Sequence, residues 1–142
     1  MPSINEIQDE IIDDFSLFDD WSDKYGYIIE LGKKLPPLEE SLKTDDLIIK
    51  GCQSRVWLHA KLEGEVIIFT ADSDAIIVKG LVYLLVKVLS GQTPADIVAN
   101  ELYFMEKIEM AQHLSPTRNN GLLAMVKQMK LYALALKTQL ES

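Results

Sequence analysis

Cysteine is nearly absent from this chain: among 142 residues there is one, Cys52. A single cysteine excludes an internal disulfide, a Cys-x-x-Cys redox pair and any metal cage built from several thiolates. Long apolar runs are missing as well. The longest, Ala75 to Leu89, is interrupted by Lys79 and Lys87 and is shorter than the about 20 residues that span a bilayer. No basic leader precedes the first pattern, because Met1-Pro2-Ser3 runs directly into an acidic, helix-like stretch. These absences predict a cytoplasmic protein with no membrane contact. Basic charge is scarce too. The net charge is −8, and phosphate binding needs a basic footprint, so nucleic acid is not an expected partner. A Ser-His-Asp order, a phosphate loop, a nucleotide fingerprint and a paired-carboxylate motif are all missing.

What is present suits a folded globular chain. The apolar share is 48% and the charged share 25%, enough to bury a real core, and the length predicts a single domain over 1–142. Acidity is uneven. Residues 1–46 carry 13 acidic and 4 basic side chains, against 9 and 10 in the remainder. That segment reads either as a solvated face or as a docking surface for a basic partner, and charge alone leaves both open.

Along the chain, Ser3 with Glu6 fits a capping box, and Ile4, Ile7, Ile11, Ile12 and Phe15 follow at helical spacing, predicting a helix over 4–14. A second helix starts near Ser16 to Asp20, carries Trp21, Tyr25, Ile28 and Ile29, and must stop before Pro36-Pro37. Leu38 to Leu42 adds a short turn. Leu47-Ile48-Ile49 reads as a short strand. Arg55 to Leu62 alternates apolar and polar residues, Glu63-Gly64-Glu65 makes a turn, and Val66 to Thr70 is β-branched and aromatic, so the pair forms a hairpin. Asp72-Ser73-Asp74 supplies three candidate N-caps for a helix over Ala75 to Leu89 that is apolar on nearly every side. Thr93-Pro94 starts a short helix. Leu102 to Ala111 reads as one helical segment, and Ser115-Pro116 opens a last helix whose Met-bearing stripe is core. The fold class this predicts is α+β, a small antiparallel three-stranded sheet covered by helices.

The chemistry centres on Lys50-Gly51-Cys52-Gln53-Ser54-Arg55-Val56-Trp57. This is a lone thiol on a loop, between a Lys and an Arg, running into a strand. The reactive form of cysteine is the thiolate, which nearby positive charge favours, and Gly51 lets the backbone turn where a side chain would obstruct approach. A free cysteine is also a common small core residue, and composition leaves that choice open. His59 is read as a surface or packed histidine. Asp72 and Asp74 look like a carboxylate pair, but capping the following helix is the simpler reading.

These residues belong to a larger pattern. Gly51-Cys52-Gln53-Ser54 followed by Val56-Trp57, Asp72-Ser73-Asp74-Ala75 with Val78-Lys79-Gly80-Leu81, Thr93-Pro94 with Asp96-Ile97-Val98, and Gln112 to Arg118 with Gly121-Leu122 occur together and in order. On these blocks, over residues 15–140, the chain resembles the SufE family of sulfur-acceptor proteins. The resemblance implies an α+β fold similar to the IscU scaffold. It implies an accessory protein rather than an enzyme, with no cofactor and no metal. Cys52 would take persulfide sulfur from a SufS-type cysteine desulfurase, enhance its turnover and pass the sulfur toward a SufBCD-type scaffold for iron–sulfur cluster assembly. Gly51, Gln53 and Ser54 would support the cysteine or contact the partner. Arg118 would lie near it, to stabilise a thiolate or engage the desulfurase, with a structural salt bridge as the competing reading. Asp74 would contact the partner or cap its helix, while Gln112 and His113 would pack at a helix end. Asn119-Asn120 and the acidic N-terminal segment depart from the family pattern and leave the docking surface open. A monomer or weak homodimer is expected. A carrier that shelters its persulfide from reductants would hold the sulfur under the loop.

The rival class is an IscU-like iron–sulfur scaffold or metal-binding module. The single cysteine weighs against it, since a cluster needs about four ligands, usually cysteines. The third reading is an interaction module with an inert cysteine.

Overall fold

A computed structural model describes residues 2–50 and 54–141. Helix α1, Ile4–Phe15, opens on the reciprocal capping box: the Glu6 N–H donates to Ser3 Oγ at 3.1 Å and the Ser3 N–H to Glu6 Oε1 at 3.3 Å. Its buried stripe is Ile4, Ile7, Ile11 and Phe15, the spacing of one helical face. Helix α2, Trp21–Gly32, is capped by Asp20, whose carboxylate accepts from the Asp23 N–H at 2.9 Å. It ends before the two prolines, as proline chemistry requires.

The sheet is a single hairpin. Strand β1, Val56–Glu63, pairs antiparallel with β2, Val66–Ser73, in a register that sets Leu58 against Ala71, Ala60 against Phe69 and Trp57 against Asp72. Gly64 takes a left-handed φ of 64° at the turn, a conformation glycine adopts without a Cβ penalty. Helix α3, Ile76–Leu89, packs on both β2 and α2. Its contact with α2 is unusually close. A Cβ on Gly32 would stand 2.9 Å from the Gly80 backbone nitrogen, and one on Gly80 would overlap the Ile28 carbonyl.

After α3 come the short helix α4, Pro94–Ala99, with Thr93 Oγ1 accepting from the Asp96 N–H at 3.2 Å, then α5, Phe104–Lys107, and α6, Met110–His113. Helix α7, Pro116–Glu141, buries Leu122, Met125, Met129 and Ala133. The core joins these residues to the inner face of the hairpin and to α1–α3.

Three expectations need correction. The third strand reduces to one residue: Asp45–Leu47 is a 3₁₀ turn and Ile48 makes an isolated bridge with Trp57. The turn closes through the backbone, with the Leu47 N–H donating to the Thr44 carbonyl at 3.2 Å and the Ile48 N–H to the Asp45 carbonyl at 3.4 Å, so these groups are not offered to a ladder. The sheet described is therefore two-stranded. Next, neither Asp72, Ser73 nor Asp74 caps α3. The N-cap position is Ala75, with no side-chain cap. Last, residues 102–111 do not form one helix. Ile108 and Met110 are both buried, yet two positions apart on a helix diverge by about 200°. Glu109, at a left-handed φ of 60°, breaks the helix so that both can face inward.

A buried amide escaped the sequence reading altogether. Gln8 is fully enclosed: its Oε1 accepts from the Tyr103 and Phe104 N–H groups at 2.7 and 3.1 Å, and its Nε2 donates to the Glu101 carbonyl at 3.1 Å. It ties α1 to the chain leading into α5.

Candidate functional site

The hairpin carries the cysteine loop on its open end. On the incoming side, the Ile49 N–H donates to the Val56 carbonyl at 2.8 Å. On the outgoing side, Arg55 is held by both of its backbone groups. Its N–H donates to Asp74 Oδ1 at 3.0 Å, and its carbonyl accepts from Ser73 Oγ at 2.9 Å and from the Asp74 N–H at 3.3 Å. Gly51, Cys52 and Gln53 lie outside the described residues. The side chains of Lys50 and Arg55 are exposed.

Asp72-Ser73-Asp74 thus works as a mount rather than a cap. Ser73 Oγ also accepts from the Ala75 N–H at 3.2 Å, which joins the mount to the start of α3. Asp72 is only 5% exposed. It accepts from the Ser73 N–H at 2.8 Å and pairs with Lys79 at 3.4 Å and Lys43 at 3.6 Å. Burial on its own would raise its pKa, but the Ser73 N–H, the Lys79 ammonium and the Leu38 N–H together hold it below the ordinary 3.8. Lys43 is held above its ordinary value, first by its hydrogen bond to Glu40 and then by the Glu40 and Asp72 charges, against the opposing effect of burial. Its ammonium sits 5.5 Å from the centre of the Trp57 ring. The sequence carries one signal for this hub: a hairpin that pairs Trp57 with Asp72 sets both on the same face, so the cover over Trp57 also encloses the carboxylate.

Beside the mount is a cavity of about 290 Å³ between the start of β1, α3 and the first turns of α7. Ser54, Thr117 and Arg118 supply polar lining, and Val78, Leu81 and Met125 apolar lining. Ser54 and Arg118, far apart in sequence, meet at this cavity. No ion pair among the described residues involves Arg118. Its backbone N–H donates to Ser115 Oγ at 3.2 Å, so a local cap sets the helix turn that carries the guanidinium. Asp74 does not line the cavity and acts through the Arg55 backbone. Half-buried Ser54 and exposed Arg118 therefore face a space that is apolar at depth and cationic at its rim.

His113 stands apart from this chemistry. Its ring stacks on Trp21 with centroids 4.3 Å apart, and its carbonyl accepts from the Tyr25 hydroxyl. Gln112 is exposed at the end of α6. Among the described residues, no group of three His, Cys, Asp or Glu side chains is poised to hold a metal, and no helix is long and apolar enough to cross a membrane.

Comparison with known proteins gives one consistent result. The family model for SufE, an Fe–S metabolism associated domain, matches residues 9–133. An uncharacterized SufE-like protein of Rhizobium etli is 42% identical over 127 residues, covering 86% of this chain and 86% of its own. A second from Rhizobium meliloti is also 42% identical over 127 residues, covering 86% of this chain and 91% of its own. The solution structure of a hypothetical protein from Thermus thermophilus superposes with a TM-score of 0.77 at 19% identity, covering 93% of this chain and 96% of that one. At that identity the likeness concerns the fold alone.

Proposed function

The chain belongs to the SufE family of Fe–S metabolism associated domains, and from that premise we propose that it is a sulfur carrier acting through Cys52 as one domain. The observation that carries the reading is the junction of the cysteine loop with the cavity: a loop anchored at both described ends beside a space lined by Ser54 and Arg118. In the reaction, the Cys52 thiolate attacks the sulfane sulfur of a persulfide on a SufS-type cysteine desulfurase. The sulfur–sulfur bond of the donor breaks and its cysteine leaves as a thiolate. The product is a persulfide on Cys52, and the proton lost by the thiol goes to solvent. The guanidinium of Arg118, free of any carboxylate partner among the described residues, favours the anionic forms of thiol and persulfide. The sulfane sulfur then passes to a nucleophile on a SufBCD-type scaffold.

This role needs one cysteine and gains nothing from a second, which would resolve the persulfide into a disulfide. It is an accessory role that raises turnover of the partner by removing its product sulfur. The test is alanine release by a SufS-type desulfurase supplied with cysteine. Wild-type chain raises the rate, and Cys52→Ala does not. Equal stimulation by both would refute the carrier role.

A further inference from the structure

The two arms of the cysteine loop are secured by different means. The outgoing arm is fixed at Arg55 by three hydrogen bonds to Ser73 and Asp74. The incoming arm has far less. Leu38 and Ile49 are buried and Ile48 bridges to Trp57, but residues 39–48 include no fully buried side chain, and apart from that bridge two short 3₁₀ turns organise them. Near the middle of that stretch stands Lys43. It reaches Asp72 Oδ2 at 3.6 Å and lies over the Trp57 ring.

Asp72 does not need Lys43 to be tolerated in the interior. A buried carboxylate requires a countercharge and hydrogen bonds, and Lys79 and the Ser73 N–H already supply both. The second lysine therefore does something else: it ties to the hairpin a stretch whose apolar side chains, Leu42, Leu47 and Ile48, are only half-buried. We propose that Asp72 is a positioning residue for the sulfur-transfer loop, holding the incoming arm through Lys43 so that both arms converge on Asp72-Ser73-Asp74. The functional part of this inference rests on the reading of Cys52 given above.

Lys79 stays in place to pair Asp72 when Lys43 is changed, so Lys43 variants test the arm without orphaning the carboxylate. Two readouts need no desulfurase: amide hydrogen exchange at Ile49 and alkylation of Cys52 by iodoacetamide. In Lys43→Met, Ile49 exchange is expected to rise about tenfold through local opening, and alkylation several-fold. Lys43→Arg restores both to wild type, because it keeps the charge that meets Asp72. Leu136→Ala, about five turns along α7 from Arg118, is the control for general loosening and changes neither. Asp72→Asn repeats the Lys43→Met result if it folds. Exchange at Ile49 within about twofold of wild type in Lys43→Met overturns the proposal. So does an equal rise in Leu136→Ala, a failure of Lys43→Arg to restore, or faster exchange with unchanged alkylation. A chain that shows the arm effects but never gains sulfur keeps the mechanical proposal and loses the carrier reading.

Discussion

The α2–α3 seam and the loop mount are held by opposite means. At the seam, Gly32 and Gly80 let two helix backbones approach until no side chain fits between them, and the contact is apolar. At the mount, a few directional polar contacts join three consecutive residues to Arg55, Lys43 and Lys79. Close packing has no partial state, since an added methyl must push backbone against backbone. Polar contacts can be removed one at a time, with the rest left standing. The seam supplies a fixed platform, and the mount holds Arg55 and Lys43 through contacts that can be changed singly.

The largest effect should come from breaking the seam. Gly80→Ala places a Cβ against the Ile28 carbonyl, and because both sides are backbone the helices must part. A loss of about 3 kcal/mol or more is expected, read as a lower urea midpoint.

Breaking the buried part of the mount should cost less. Asp72→Asn removes the charge that Lys79 and Lys43 meet, but both lysines have access to water. The expected loss near neutral pH is about 1–2 kcal/mol. This difference depends on pH. The folded-state pKa of Asp72 lies below the ordinary 3.8, so its charge stabilises the fold above that value, and the contribution is lost as pH falls through the lower folded value. Urea melts of the two proteins should therefore converge as pH drops from the neutral range to below the ordinary value. A gap that stays constant contradicts the assignment of the stabilisation to the Asp72 charge.

Asp74→Ala removes one exposed acceptor from the Arg55 N–H. About 0.5–1 kcal/mol is expected, with faster exchange confined to the Arg55 amide. Arg118→Ala should do least to stability, within about 0.5 kcal/mol, because no ion pair among the described residues uses it. It should nonetheless slow sulfur gain by Cys52. Equal losses of stability and transfer would place Arg118 in the fold rather than in the chemistry.

The same contrast explains what could be read from the sequence. The capping box at Ser3 and Glu6, the Thr93-Pro94 start and the stripe beginning at Leu122 are local, and local spacing determines them. The hairpin was equally legible, since alternation and a Gly turn specify it. Polar residues with distant partners were not. Asp72, Ser73 and Asp74 match a helix cap in one dimension, and only the folded chain brings Arg55 and Lys43 to them as partners. The missing third strand and the break at Glu109 have a similar origin, because each depends on which neighbours compete for burial. Of the candidate site, the placing of Ser54 and Arg118 on one cavity is a product of the fold; no periodicity brings the two together.

The central claim is that Cys52 receives sulfur. Its most direct test is intact-mass analysis after incubation with a SufS-type cysteine desulfurase and free cysteine. Wild-type chain should gain the mass of one sulfur atom, lose it on treatment with a thiol reductant, and show no gain as Cys52→Ala. A wild-type chain that gains nothing, or a Cys52→Ala chain that gains as much, contradicts the account.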